Sequence, residues 1–124
     1  MTDLKQWVYC PRIPFYTYVL PVDHVRTYKM QRGQAVQGAL EALERRRRLR
    51  EYGLAEGERR FGTVLRSDRL GLTGKLDLLI VTPQACFPVE IKDTEGGVRT
   101  NHRIQIAAYA LLVEEEFQKP VPEA

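Results

Sequence analysis

The chain has 124 residues, of which 44% are hydrophobic and 28% are charged, and its formal net charge is +3. This size and composition predict a single globular domain over residues 1–124 and exclude a disordered protein, while the small positive charge is compatible with a polyanionic partner. No apolar run is long enough to span a bilayer and residues 1–6 lack signal-peptide character, so we expect a cytoplasmic protein.

The first segment, residues 1–28, is predicted to contain a short helix. Asp3 is a candidate cap for this helix, which would run through Tyr9 and end at Pro11. The aromatic group Phe15–Tyr18 follows, and its composition favours packing over base stacking. We therefore expect these rings to pack within the fold.

Two cysteines, Cys10 and Cys86, are too few for a metal–sulfur site within one chain. A disulfide is not expected between them in a cytosolic protein. Because Cys86 precedes Phe87 at the start of a predicted strand, we interpret it as a small buried hydrophobic residue.

A long helix is predicted over Tyr28–Tyr52. Its apolar residues recur at spacings of three and four and form a stripe that should be buried, consisting of Val36, Ala39, Leu40 and Leu43. An arginine run follows the stripe and comprises Arg45, Arg46, Arg47, Arg48 and Arg50. At about 100° per residue these side chains spread around the helix, so about two or three could face one DNA duplex. The alternative is a solvated helix end, where positive charge is favourable.

Three strands are predicted after this helix. Glu58–Arg66 leads into a turn at Ser67–Arg69, and Leu76–Val81 is separated from Phe87–Ile91 by a turn at Thr82–Gln84. The last two strands are rich in branched apolar residues and are separated by a short turn, so they are candidates for a hairpin.

Charged side chains interrupt the last two predicted strands. Because side chains alternate along a strand, Glu90 and Lys92 share one face, and Asp77 meets them if the strands pair as a hairpin. Two carboxylates beside a lysine form a net-negative, oxygen-lined niche that suits Mg²⁺ or Mn²⁺. The alternative is an exposed sheet face that carries a salt bridge.

The final helix begins near Thr100 or Asn101 and runs through Phe117. It is apolar on nearly all sides up to its glutamates, which predicts a buried helix. Gln105 and Tyr109 lie one turn apart on it, and a buried amide or phenol needs a hydrogen-bond partner. Either this pair lines a functional site, or its two side chains form a purely structural polar pair.

The remaining candidate functional residues are supported by less evidence from the sequence. The loop Asp93–Gly97 lies beside the predicted site and either admits DNA or is a surface connection. His102 is near the predicted site and could contact a phosphate, whereas His24 belongs to no motif.

Four sequence features together resemble a known family. They are Gly-x-x-Asp ending at Asp77, Glu-x-Lys at Glu90, the pair Gln105 and Tyr109, and Tyr-Cys-Pro-Arg around Cys10. The first three are similar to the RecB-like branch of the PD-(D/E)XK nucleases. The fourth narrows the resemblance to the CRISPR-associated Cas-four nucleases, which act in spacer acquisition, and the resemblance covers nearly the whole chain.

This resemblance implies an α/β fold with a restriction-endonuclease-like (PD-(D/E)XK) core, a small mixed sheet flanked by helices. Residues 1–28 would be an N-terminal segment, residues 29–119 the nuclease core and residues 120–124 a tail.

The resemblance also implies roles for the site residues. Asp77, Glu90 and the carbonyl of Ile91 would bind Mn²⁺ or Mg²⁺, and Lys92 would orient the nucleophile. The side chains of Gln105 and Tyr109 would support them.

This chain departs from the family at two places. Family members carry a histidine ligand where this chain has Gln37, whose amide oxygen is a weaker ligand for Mn²⁺. Cys10 matches one of four iron–sulfur ligands, and the other three lie in a C-terminal segment that this sequence lacks. We therefore expect a truncated or minimal member, and no iron–sulfur cluster in this chain alone.

The resulting functional hypothesis is a divalent-metal-dependent deoxyribonuclease, acting as an exonuclease that processes DNA ends for CRISPR spacer acquisition. Its partners would be DNA and the CRISPR integrase complex, without a membrane. One alternative is a DNA-end-binding subunit of that complex with weak nuclease activity. Another is a general RecB-type DNA repair exonuclease, against which the Tyr-Cys-Pro-Arg segment argues.

Overall fold

The computed structural model describes residues 1–23, 25–92 and 97–124, so His24 and residues 93–96 of the predicted loop lie outside the described residues. The elements are α1 (Thr2–Tyr9), α2 (Arg12–Pro14), a π-helical turn (Phe15–Val19), α3 (Tyr28–Arg46), a 3-10 turn (Leu49–Tyr52), β1 (Glu58–Ser67), β2 (Leu72–Val81), β3 (Cys86–Val89) and α4 (Thr100–Phe117). Within these described ranges, the helices include none with the length and apolar character needed to cross a membrane.

The sheet has the order β1-β2-β3, and both of its strand pairs are antiparallel. The predicted α/β class is confirmed, but the predicted mixed sheet is wrong for the described strands. Each strand follows its neighbour after a short turn, and short turns join antiparallel strands, whereas parallel strands need a long crossover. The turn between β2 and β3 is closed by Thr82, whose backbone N–H donates to the carbonyl of Ala85 at 2.9 Å.

The hydrophobic core lies between the sheet and α4. Its buried members are Leu65, Leu76, Leu79, Cys86, Tyr109, Leu112 and Val113. Cys86 is fully buried, which confirms its interpretation as a small hydrophobic residue. The sequence predicted that α4 is apolar and buried on nearly all sides. The face of α4 toward the sheet is buried, but Leu111 is 51% exposed, so burial on the other sides is not confirmed.

The long helix ends at Arg46 rather than at Tyr52, so the predicted end is wrong. Arg47 has an extended backbone (φ −64°, ψ 140°), and from β1 the guanidinium of Arg59 donates to the carbonyls of Glu44 and Arg47. A side chain that satisfies the last carbonyls of a helix caps its end. The sequence beyond Arg46 therefore turns back toward the sheet.

The apolar stripe of α3 is not buried. Leu43 is 59% exposed, and no residue of this helix is buried among the described residues. The prediction of a buried stripe is wrong, because α3 packs extensively on no other described element; near its C-terminal end Arg45 lies 4.2 Å from the ring centroid of Phe61.

Two predictions for the N-terminal segment also fail. Asp3 lies in the first turn of α1 rather than at its cap, and its carboxylate accepts a hydrogen bond from the hydroxyl of Tyr18 at 2.9 Å. Phe15 and Tyr16 form an edge-to-face pair with centroids 5.4 Å apart, yet both rings and that of Tyr18 are exposed. These rings lie on a turn that packs on α2, away from the sheet.

Candidate metal centre

The two predicted carboxylates lie together at one end of the β2–β3 hairpin. The pairing of Leu78 with Val89 places Asp77 across from Glu90 by continuation of the antiparallel register. The Asp77 carboxylate accepts a hydrogen bond from the backbone N–H of Ile91 at 2.9 Å. Because this N–H bonds to a side chain instead of a strand carbonyl, β3 ends at Val89, two residues earlier than the predicted strand.

Glu90 is the most constrained side chain of the site. Its Oε1 contacts the Lys92 ammonium at 2.6 Å and accepts a hydrogen bond from the Gln105 amide at 2.8 Å. Burial raises the pKa of Glu90 above its ordinary value, and the hydrogen bond and charge of Lys92 oppose that rise. The site therefore holds a carboxylate whose charge is only partly compensated by the protein.

Two buried oxygens of this site have no hydrogen-bond partner among the described residues, namely Oε2 of Glu90 and Oε1 of Gln105. A buried oxygen without a donor is unfavourable unless an ion or water satisfies it. Oxygen ligands suit hard cations, so these atoms and the Asp77 carboxylate fit Mg²⁺ or Mn²⁺. The described residues contain no cluster of three or more histidine, cysteine or acidic side chains, so the metal would need main-chain or amide oxygens as well.

Tyr109 lies one turn after Gln105 and anchors strand β2. Its hydroxyl donates to the carbonyl of Lys75 at 2.7 Å, and burial raises its pKa to about 12, assisted by the charge of Glu90. A Cβ at Gly74 would lie 3.0 Å from the Tyr109 ring and 2.8 Å from the Met1 side chain. The glycine of the Gly-x-x-Asp motif therefore allows α1 and α4 to approach the strand beside Asp77.

Lys5 is a site residue that the sequence interpretation missed. It lies on α1, which packs against α4, and the charges of Asp77, Glu90 and Lys92 all act on it. Burial lowers the pKa of Lys5, Lys92 lowers it further, and the two carboxylates oppose the decrease. No motif marks this lysine, because only the packing of α1 brings it to the carboxylates.

His102 also lies beside the site. Its Nδ1 accepts from the backbone N–H of Arg99 at 3.4 Å and so caps the start of α4. It lines a cavity of ≈ 380 Å³ together with Glu90 and Lys92. Burial lowers the pKa of His102, and the charges of Lys5 and Lys92 lower it further, which favours the neutral ring near the site. A contact from His102 to a phosphate stays a prediction.

Gln37 lies on α3 and is half-buried. In the described part of the chain, no hydrogen bond joins it to Asp77 or Glu90, so its role as a metal ligand stays a prediction. Cys10 is half-buried and follows the last residue of α1. Its role in an iron–sulfur cluster is likewise untested.

The arginine run does not lie on one helix. Of its members only Arg45 and Arg46 belong to α3, so the expected spread of five side chains around one helix is wrong. Arg45 pairs with Glu41 at 2.7 Å, and Arg47 pairs with Glu44 at 3.3 Å. The remaining members are exposed and make no ion pair with any described residue: Arg46, Arg48 and Arg50.

The fold and the site together define an α/β protein with a carboxylate pair and a lysine at the end of a β-hairpin. No protein-family model matches the chain. It is 36% identical over 117 residues to the CRISPR-associated exonuclease Cas4 of Francisella tularensis subsp. novicida, covering 94% of this chain and 60% of that relative. It is 30% identical over 121 residues to the Cas4 of Aeropyrum pernix, covering 90% of this chain and 58% of that relative.

A third relative, from Rhodospirillum rubrum, is a CRISPR-associated exonuclease Cas4/endonuclease Cas1 fusion. It is 33% identical over 123 residues, covering 90% of this chain and 20% of that protein. The chain belongs to the Cas4 family. It spans 60% or less of the length of the relatives described above.

Proposed function

We propose that this chain hydrolyses DNA phosphodiester bonds with a divalent metal ion, Mn²⁺ or Mg²⁺, held by Asp77, Glu90 and the main-chain carbonyl of Ile91. The observation that carries the proposal is the buried Oε2 of Glu90, which has no partner among the described residues and lies beside a second carboxylate. The names of the relatives, which describe exonucleases, support the same reaction class.

Each side chain of the site has a distinct part in this proposal. A bound divalent ion would lower the pKa of a water molecule and neutralise phosphate charge. Lys92, held by Glu90 at 2.6 Å, orients the attacking water and stabilises the negative charge that develops on the phosphate. Gln105 fixes the orientation of Glu90, and Tyr109 fixes strand β2 through the carbonyl of Lys75.

The wider context of the proposal is CRISPR spacer acquisition, in which the chain would trim DNA ends before integration. A restriction-endonuclease-like core accords with the motif order and with an antiparallel hairpin that presents acidic residues. The fused relative, which joins Cas4 to the endonuclease Cas1, supports association with a CRISPR-associated partner, and we propose that this partner is the integration complex and that the chain acts in the cytoplasm. The CRISPR-associated names of the relatives favour this context over general RecB-type DNA repair.

The test is digestion of end-labelled single- and double-stranded DNA in Mn²⁺ and in Mg²⁺. Asp77→Asn and Glu90→Gln should abolish cleavage, because each removes a charged ligand with little change of shape. Lys92→Ala should slow cleavage by roughly 10²–10³-fold, the usual loss for one stabilising group in a transition state.

Asp68→Asn provides the matched control. It removes one carboxylate from an exposed ion pair with Arg66 at the β1–β2 turn and should leave cleavage unchanged. Cleavage by Asp77→Asn and Glu90→Gln at the parent's rate would show that the metal site is elsewhere.

A second candidate function is DNA-end binding with weak nuclease activity. It is favoured by Gln37, which stands in the family's histidine position and makes no hydrogen bond with the carboxylates in the described part of the chain. Binding of DNA ends in EDTA, combined with no Mn²⁺-dependent digestion, would select this function over the first.

A further inference from the structure

A cavity of ≈ 250 Å³ lies between α1, α2 and the start of α4. Its lining residues are Lys5, Gln6, Tyr9, Ile13 and Asn101. Four of these side chains present hydrogen-bond donors, namely an ammonium, two amides and a phenol. The α1 wall is fixed in place, because the N-terminal ammonium of Met1 donates to the carbonyl of Thr73 at 2.6 Å.

The cavity lies next to the metal centre, because its Asn101 is one turn before Gln105 on α4 and the Gln105 amide donates a hydrogen bond to Glu90. Lys5 is half-buried, is subject to the charges of Asp77, Glu90 and Lys92, and makes no ion pair with a described residue. Lys92, by contrast, is paired with Glu90. In the proposed function Asp77 and Glu90 hold a divalent cation, and Lys5 is then available to bind a further anion.

We propose that this cavity binds a DNA phosphate adjacent to the one that is cleaved, with Lys5 as the principal contact. A lysine ammonium binds phosphate as a point charge, and the neighbouring amides of Gln6 and Asn101 supply neutral donors. The inference rests on the proposed nuclease function, since it assumes that the carboxylate pair holds the phosphate that is cleaved. Lys5 then sets the register of the strand on the metal centre without taking part in bond cleavage.

The first experiment measures binding of fluorescent single-stranded DNA by anisotropy in EDTA, where metal-dependent cleavage cannot occur. Lys5→Gln should weaken binding about fivefold at 0.15 M salt and reduce the log–log salt slope by about 0.7, the contribution of one single-strand phosphate contact. Lys5→Arg should restore both values, because it keeps the charge.

Arg66→Gln is the charge-matched control, since it removes one positive charge at an exposed position beside Asp68. Asn101→Asp is an independent variant. A carboxylate is favourable in the first turn of a helix, so the fold should tolerate this change, while the new charge should repel a phosphate from the cavity. Thermal unfolding of each variant checks that the fold persists.

The second experiment locates the phosphate. A series of oligonucleotides carries one uncharged methylphosphonate at successive positions from the DNA end. At one position, the methylphosphonate should weaken binding of the oligonucleotide by the parent. For Lys5→Gln, the methylphosphonate at that position should cause no further loss of affinity relative to the unmodified oligonucleotide. Equal affinities and salt slopes for Lys5→Gln and Arg66→Gln on every oligonucleotide would overturn the inference.

The two proposals fail differently. Normal Mn²⁺-dependent cleavage by the parent, without any effect of Lys5→Gln on binding, would leave the nuclease function and remove the phosphate site. A binding defect in Lys5→Gln, with no cleavage by the parent in either metal, would leave the phosphate site and remove the nuclease function.

Discussion

Helices α3 and α4 are nearly equal in length, with 19 and 18 residues, yet their surroundings differ completely. Five residues of α4 are buried and three of them belong to the hydrophobic core, whereas α3 has no buried residue among the described residues. Both helices carry apolar residues at helical spacings, so periodicity alone does not decide burial.

The difference follows from where each helix lies relative to the sheet. α4 follows the last strand and returns across the sheet, so Leu112 and Val113 are covered. α3 precedes the first strand and packs extensively on no other described element, although Arg45 and Glu44 near its C-terminal end contact β1. The amide that contacts the carboxylate pair, Gln105, is accordingly on α4.

The largest expected effect concerns stability. Leu112→Ala should lower the free energy of unfolding by roughly 2–5 kcal/mol, because it leaves a cavity in the core. Leu43→Ala on α3 should change it by less than about 0.5 kcal/mol, since that side chain is already exposed. Urea unfolding of both variants measures the two values. Equal losses would show that α3 is packed in solution and that the contrast between the helices is wrong.

A smaller effect is expected for metal binding. Gln105→Ala should weaken Mn²⁺ binding by about 10–100-fold, the usual cost of removing a group that orients a ligand. On α3, Gln37→Ala should have little effect if residue 37 lies away from the metal, and Gln37→His should tighten Mn²⁺ binding if it lies beside it. Calorimetric titration of the parent and the variants with Mn²⁺ decides whether residue 37 lies beside the metal or away from it. Unchanged affinity in Gln105→Ala would remove α4 from the metal site.

The arginine run should contribute a still smaller effect. Replacing Arg46, Arg48 and Arg50 by glutamine should reduce the log–log salt slope of duplex DNA binding by at most about 2–3 units, at 0.9 per phosphate contact. The control replaces Arg45 and Arg47, which already pair with glutamates and should change the slope less. A slope equal to the parent's in the triple variant would mean that these three arginines are only solvated.

The smallest effect concerns the pH dependence of stability. Burial raises the pKa of Glu90, so the folded protein favours the protonated form. Its contribution to stability is therefore greatest below the unfolded pKa, near 4.5, and is lost as the pH rises through the folded pKa. Glu90→Gln should slightly raise the Tm of metal-free protein at pH 7 and lose this advantage in acid. Glu41→Gln on α3 is the control, since it removes a carboxylate from an exposed ion pair with Arg45.

Local patterns predicted much of the fold. The β2–β3 turn, most of the three strands and the extent of α4 match the expectations, because turn residues and alternation act over a few neighbours. Long-range contacts explain the failures. The end of α3 depends on Arg59, a residue of β1, and the end of β3 depends on the side chain of Asp77 in β2.

The sequence by itself indicated the α/β class and the meeting of Asp77 with the Glu90–Lys92 pair at one end of a hairpin. These features rest on strand alternation and short-range spacing, which a single chain segment carries. The tertiary structure alone decided which helix is buried, that Gln105 holds Glu90, and that Lys5 joins the site. Each of these depends on how α1 and α4 pack on the sheet, and the free energy of that packing is shared among residues far apart in sequence.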